Sequence, residues 1–274
     1  EYDHQNRLVK TILPDDTPGD LSDNLYTETT YDVAGNKQSE RDSAGLVTSF
    51  TYTSRNWVKT VTVAGNLRTK YYYDGRGNQI KVESYASDGS VLSYTVNAYD
   101  SLNRLRQVTH PLGQIEKFDY DELGNRTLAQ DGRGNTTYYS YNGLGWLTAV
   151  TDPLWQVTGF KYDPNGNRVK QIAPNQLVTS FTYDELNRVI KKQDSLGFAT
   201  RYSYDLNGNR AKMIDPRNST WVYQYDSRNL LTRLDVTGSD SSSYQVTYEY
   251  DQVGNLKKVE DLGNTILYNY QDGQ

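Results

Sequence analysis

The stretch Tyr204-Asp205-Leu206-Asn207-Gly208-Asn209-Arg210 decides the fold. Its tyrosine ends an alternating run, Tyr202-Ser203-Tyr204, and alternation with period two puts one row of aromatics on one face of a β-strand. The residues after it are turn formers: Asp and Asn bond their own backbone and tolerate positive φ, and Gly adopts that conformation without steric cost. A second short alternating segment follows each such stretch, as in Leu105-Arg106-Gln107-Val108 and Val189-Ile190-Lys191-Lys192. The unit is strand, turn, strand.

The same tyrosine start recurs at Tyr2, Tyr31, Tyr52, Tyr73, Tyr99, Tyr120, Tyr141, Tyr162, Tyr183, Tyr204, Tyr225 and Tyr250, and eight of the eleven intervals are 21 residues. A fixed period of this size marks stacked units, each unable to bury its apolar face alone. About half a repeat later comes a second turn: Asp131-Gly132-Arg133-Gly134, Asp152-Pro153, Ala173-Pro174-Asn175, Asp194-Ser195-Leu196-Gly197 and Asp215-Pro216-Arg217-Asn218. Two reversals per repeat predict an antiparallel meander of about two dozen strands with almost no helix. The Tyr-Asp turns should line one rim and the Asp/Gly turns the other. Strand twist should curl so long a sheet into a barrel-like or spiral wall. The predicted fold class is all-β: tandem hairpin repeats of about 21 residues in one long antiparallel sheet.

A longer order lies over the first. The motifs of Tyr31-Asp32-Gly35, Tyr73-Asp74-Gly77, Tyr120-Asp121-Gly124, Tyr162-Asp163-Gly166, Tyr204-Asp205-Gly208 and Tyr250-Asp251-Gly254 all end in Gly-Asn. The motifs between them read Asn56-Trp57, Asn103-Arg104, Gly145-Trp146, Asn187-Arg188 and Asn229-Leu230. The true period reads as 42, and adjacent hairpins should pack their rim turns differently.

The chain has 274 residues and no linker, which predicts one continuous array over 1–274. A start at Glu1 inside a motif is the expectation for a piece of a longer protein. Cysteine is absent, so no disulfide framework or thiolate metal site is present. No stretch approaches the roughly 18 apolar residues that span a bilayer as a helix. A formal charge of -5, with basic residues interleaved among Asp, argues against a nucleic-acid partner.

Tyrosine outnumbers phenylalanine 25 to 5, which suits a wall whose rings are half-buried while their hydroxyls reach water or polar partners.

Catalysis and metal binding find little support. The many Asp residues read as turn residues, not as an acid pair with divergent pKa. His4 and His110 are the sole histidines, and His110 precedes Pro111 where other repeats carry a turn Asp. The alternate oxygens of Asp163, Asn165 and Asn167 imitate a calcium loop, but Gly166 stands at the fourth position and Pro174 at the twelfth, where such a loop requires Gly at the sixth and Glu at the twelfth. No cofactor or metal site is predicted. Trp57 and Trp146, at positions held by Arg7, Arg104 and Arg188 in sister repeats, are the candidate ligand contacts, with packing between hairpins the alternative. Trp155 and Trp221 read as packing residues. Three insertions, Pro14 to Asp20, Ala86 to Ser90 and Gly238 to Ser243, fall near the Asp/Gly rim. Such loops carry binding or tolerate drift.

On the strength of Tyr120-Asp121-Glu122-Leu123-Gly124-Asn125-Arg126 and its dozen tandem copies, the chain resembles the YD-repeat, or RHS-repeat, family over nearly its full length. The resemblance implies a spiral β-shell. In bacterial polymorphic toxins and insecticidal toxin complexes that shell is a cocoon around a C-terminal toxin; in teneurins a related shell serves adhesion. It therefore implies a non-catalytic segment of a secreted bacterial shell, whose partners are an enclosed toxin or effector domain and neighbouring shell segments. The alternative is an extracellular or cell-surface module binding glycan or a surface protein. In the toxin branch the array ends in an Asp-Pro-x-Gly-Leu motif where an aspartyl autoprotease cuts. Asp163-Pro164-Asn165-Gly166-Asn167 lacks the Leu and lies at a repeat turn, so proteolysis is not carried over to it.

Overall fold

The computed structural model describes residues 1–13, 25–261 and 263–268; the insertion Pro14 to Asp20 lies outside the described residues. Within them the chain is all-β, with 24 strands and a single 3-10 turn at Ala64–Asn66. It divides into two compact units, residues 1–137 and 138–271. In the first, each strand from Lys10–Ile12 to Arg126–Gln130 pairs antiparallel with the next. In the second, the same meander runs from the strand ending at Tyr141 to Asn264–Leu267.

Each Tyr-Asp hairpin is closed in one way. In the hairpin of Val178–Tyr183 and Val189–Gln193, Asp184 N–H donates to the Arg188 carbonyl at 3.0 Å and Asn187 N–H to the Asp184 carbonyl at 3.0 Å. Asn187 sits at φ 61, and the register shifts between Thr182 and Tyr183, so that Tyr183 opposes Val189. This is a turn closed by one left-handed residue that makes a β-bulge. The Gly-Asn motifs put glycine at that place, with φ from 86 at Gly35 to 98 at Gly254.

Apart from the 3-10 turn at Ala64–Asn66 and the tight reversal at the pair Asp261 and Asn264, the described turns of the opposite rim take the same five-residue form. Asp194 N–H donates to the Phe198 carbonyl and Gly197 N–H to the Asp194 carbonyl, with Gly197 at φ 91. A left-handed residue bearing a Cβ costs about 1–2 kcal/mol, which selects Gly or Asn there. Trp155 at φ 62, Gln176 at 65 and Ser241 at 67 are the departures on this rim.

Little of either unit is dry. Among the described residues the buried apolar side chains are Ala199, Val236 and Val246, the buried charged one is Glu83, and no large side chain is fully buried. The aromatic rows are half-buried along the strands. Cohesion therefore rests on the backbone ladder and on cross-strand contacts, each modest alone.

Candidate functional site: the tyrosine-aspartate rim

The motif aspartate is the hub of its turn. Asp32 Oδ1 accepts from the N–H groups of Ala34 (2.9 Å) and Asn36 (2.8 Å), and Oδ2 accepts from the Asn36 side-chain amide at 3.1 Å. Asp74, Asp163 and Asp205 repeat all three contacts, one from the N–H of Arg76, Asn165 or Asn207 and two from the backbone and side chain of Asn78, Asn167 or Asn209. Asp121 and Asp251 bind Asn125 and Asn255 through backbone and side chain alike. In three of the intervening motifs Arg takes the place of that Asn, at Arg7, Arg104 and Arg188: Arg104 Nε lies 2.7 Å from Asp100 Oδ2, and Arg188 Nε lies 2.7 Å from Asp184 Oδ2. These donors hold the carboxyls below their ordinary range. The Asn side-chain amide is the main cause at Asp32, Asp74 and Asp121, and the Arg backbone N–H at Asp3, Asp100 and Asp184. Among the described residues no group of His, Asp and Glu is arranged to hold a metal ion.

The motif tyrosine ties each hairpin to the one before. Tyr52 donates its hydroxyl to the Lys37 carbonyl, Tyr73 to Val58, Tyr120 to Leu105, Tyr162 to Leu147, Tyr183 to Arg168 and Tyr204 to Val189, at 2.8–2.9 Å. Tyr31 and Tyr250 reach Leu8 and Leu231 across longer loops. The acceptor is the residue opposite the preceding motif's tyrosine at its bulge, as Val189 is opposite Tyr183. There the ladder is interrupted, and the phenol supplies a missing donor. Phenylalanine could fill the same space but not that role.

Two kinds of link alternate along the rim. From a Gly-Asn motif to the next, the Asn side chain donates to the left-handed Asn: Asn36 to Asn56 (3.2 Å), Asn78 to Asn103 (2.9 Å), Asn167 to Asn187 (2.6 Å) and Asn209 to Asn229 (2.8 Å). The following step is made by a flat side chain lying over the next tyrosine. Arg7, Arg104 and Arg188 lie 4.5, 4.8 and 4.6 Å from the ring centroids of Tyr31, Tyr120 and Tyr204. Trp57 and Trp146 take that place over Tyr73 and Tyr162, at 5.3 and 5.4 Å. This alternation underlies the 42-residue period, with two exceptions: Leu230 stands where a flat side chain would precede Tyr250, and Gly145 where an Asn would accept from Asn125.

Both candidate tryptophans are thus half-buried plates, set so close that a Cβ on Gly77 would stand 2.9 Å from Trp57 and one on Gly166 3.1 Å from Trp146. Beside Trp57 an open groove of about 400 Å³ is lined by Arg55, Lys59, Tyr71 and Tyr73, among others. Trp155 differs from the expectation of packing. It is 74% exposed, because the left-handed turn position aims its side chain outward.

One cluster was not read from the sequence. Glu83 accepts from the Tyr72 hydroxyl at 2.6 Å and from the Tyr85 hydroxyl, and pairs with Lys81 Nζ at 2.6 Å. Lys81, then the two phenols, hold Glu83 down to about 2, and Glu83 pushes Tyr85 up to about 12. The signal was present as Lys81, Glu83 and Tyr85 at alternate positions of Gln79–Tyr85. It becomes legible once that strand is set in register with Lys70 opposite Glu83 and Tyr72 opposite Lys81.

The fold has known counterparts. The Photorhabdus luminescens Tc holotoxin pore is similar at 15% identity with a TM-score of 0.51, and TcdB2-TccC3 without its hypervariable C-terminal region at 15% with 0.53. Each match covers 95% of this chain and 18% of the other, so the chain spans less than a fifth of those proteins; at this identity the likeness is one of fold. No curated protein matches the chain. The RHS Repeat model matches residues 99–136. The Teneurin YD-shell model matches residues 122–274, more than half of the sequence, and the chain belongs to the teneurin YD-shell family.

Proposed function

We propose that this chain, as one array of YD repeats, is a wall segment of a shell that encloses a toxin or effector domain of a secreted bacterial protein. The observation that carries the reading is a wall without a filling. Within each unit the meander is cross-linked along its own Tyr-Asp rim, yet almost no side chain among the described residues is buried. A segment built to enclose needs a continuous wall more than a dry core of its own. The motif aspartates, which would be the natural source of an acid pair, each accept two or more hydrogen bonds from their own turn, which fits a structural rather than a catalytic role. The fold likeness to a Tc holotoxin component adds support for a toxin context.

The test is intact mass and limited proteolysis of the full-length parent, purified natively. A C-terminal fragment that is cleaved yet stays bound and protease-resistant until denaturation is the expected result. A parent with no releasable, protected fragment overturns enclosure.

A further inference from the structure

The sequence interleaves basic and acidic residues, and the fold sorts them. Residues 157–214 of the second unit carry nine Lys and Arg against five Asp and Glu, in a chain whose formal charge is -5. All five acids, Asp163, Asp184, Glu185, Asp194 and Asp205, stand in turns, whereas the six strands from Val157–Tyr162 to Arg210–Ile214 hold eight of the cations and no carboxylate. The alternation of strand side chains then divides those cations between the two faces. One face keeps Arg168, Lys192 and Arg210, with Arg168 over the rings of Phe160 and Phe181 and Arg210 over that of Tyr202.

The other face collects the remaining five. Lys161 stands directly opposite Lys170, Lys170 opposite Ser180, Thr182 opposite Lys191, Lys191 opposite Arg201 and Ser203 opposite Lys212. Opposed residues share a face, and so do residues two apart in a strand, which joins Ser180 to Thr182 and Arg201 to Ser203. Lys161, Lys170, Lys191, Arg201 and Lys212 therefore form one row across the six strands, and all but the half-buried Lys191 are exposed. Their companions on this face, such as Ile172, Gln193 and Ile214, are uncharged. None of the five makes an ion pair or a side-chain hydrogen bond among the described residues; the pairs that border the row are Arg188 with Asp184 in a turn and Arg233 with Asp235 two strands beyond. Like charges set directly opposite, as Lys161 and Lys170 are and again Lys191 and Arg201, destabilise a sheet. No carboxylate on these strands offsets that repulsion.

We infer that this row is a docking track for an acidic polypeptide segment laid across the strands. Five strand spacings span roughly 24 Å, the length of about seven extended residues, and carboxylates along such a segment would neutralise the opposed cations. Ser180, Thr182 and Ser203, set among the cations, offer hydroxyls that both donate to and accept from a peptide backbone. Other polyanions fit less well. Single-stranded nucleic acid is held on aromatic platforms, and this face of the six strands has no aromatic residue. A duplex, on strands only about 17–20 Å long, would bring its phosphates against Asp163, Asp184, Glu185 and Asp205 on one rim and Asp194 and Asp215 on the other. An anionic membrane surface is gripped by apolar side chains beside the cations, and the row contains none. The inference does not rest on enclosure of a toxin.

The test is fluorescence anisotropy of labelled decaglutamate titrated with the full chain. The expected result is saturable binding at about 50 mM salt that weakens at least about tenfold at about 300 mM. The decisive variant combines Lys170→Thr, Lys191→Thr and Arg201→Thr, because threonine suits a strand. It should bind at least about tenfold more weakly, while its thermal midpoint at low salt is unchanged or higher, since the opposed like charges are gone. Lys59→Thr, Lys117→Thr and Lys192→Thr together remove the same charge from outside the row and should leave binding within about threefold of the parent. No saturable binding at low salt overturns the inference. So does a folded row variant that binds as well as the parent, or a control variant that loses as much as the row variant. Tighter binding of a DNA single strand or duplex of matched charge, or of phosphatidylserine vesicles, overturns the choice of a polypeptide.

Discussion

The two rims share one form of five-residue turn, yet one is keyed and the other is not. On the Tyr-Asp rim every motif reaches its neighbour through a phenol, an Asn–Asn bond or a plate over a ring. On the Asp/Gly rim the side-chain hydrogen bonds close within their own turns, as at Asp42, Asp131, Asp152, Asp194 and Asp215. The keyed rim keeps its tyrosine in every motif and Asp after it in all but Tyr52-Thr53 and Tyr141-Asn142. The unkeyed rim drifts through Asp-Gly, Asp-Pro, Ala-Pro and His-Pro, and it absorbs the described insertions Ala86 to Ser90 and Gly238 to Ser243. Conserved spacing thus follows from linkage between turns, since a turn that answers only to itself can vary in composition and length.

The largest test of that contrast is collective. Carboxyls of the keyed rim lie below their unfolded value of 3.8 in the folded chain. Their contribution is complete above that value and is lost as pH falls through the lowered folded values, because the unfolded chain binds protons first. Burial pushes the rim phenols Tyr52, Tyr183 and Tyr225 above 10.0. Their contribution is complete below that value and is lost as pH rises through the raised ones. Denaturation midpoints measured against pH should show a plateau that falls away below about pH 4 and again above about pH 10. A midpoint unchanged down to pH 2 would remove the carboxylates from any role in holding the rim.

Single substitutions sharpen the comparison. Gly77 and Gly89 share a left-handed φ, at 92 and 85, one on each rim. A Cβ at Gly77 would meet Trp57 at 2.9 Å, whereas at Gly89 it meets nothing within 4 Å. Gly89→Ala should cost about 1–2 kcal/mol, the backbone term alone. Gly77→Ala should add about 1–3 kcal/mol for the crowded plate, and the excess should shrink when Trp57→Arg is introduced with it. Equal costs at the two sites, measured by urea denaturation, would mean that the plate does not press on the glycine.

Much of this was legible beforehand, and the reasons differ by residue. Tyr204 was visible as the end of an aromatic alternation, and Asp205 and Gly208 as a turn, because strand period and turn chemistry are local. The period of 42 was visible too, although its cause, Asn209 bonding Asn229 and Arg188 covering Tyr204, lies between residues of neighbouring hairpins that are distant in sequence. Glu83 was hidden because its partners lie on its own and a neighbouring strand, and they converge only when the register is known. Trp155 was misread because tryptophan ordinarily packs, whereas its turn position outranks its side chain in setting its direction.

A smaller effect should follow from removing one hydroxyl. Tyr204→Phe keeps the ring beneath Arg188 and deletes only the donor to the Val189 carbonyl. The carbonyl would stand at a bulge without its partner, which costs about 1–3 kcal/mol when it is shielded from water. Tyr202, in the same strand but outside the motif, serves as the control, and Tyr202→Phe should cost less. If the two were equal in urea denaturation, the hydroxyl ladder would be incidental to the wall.

The smallest effect tests why arginine and tryptophan share one position. Trp57 and Arg188 each cover the tyrosine of the next motif at similar distance, although one is apolar and the other charged. If a flat group over the ring is what the position requires, Trp57→Arg should change stability by no more than about 0.5 kcal/mol, the range of an unremarkable surface substitution. Trp57→Ala, which uncovers Tyr73, should cost clearly more. Arginine alone cannot restore the charged contact that Arg104 makes to Asp100 at the head of its turn, because position 53 is Thr in this repeat. Thr53→Asp combined with Trp57→Arg should therefore be more stable than either single change, a coupling that a double-mutant cycle reads directly. Absence of coupling would show that the plate acts through shape alone.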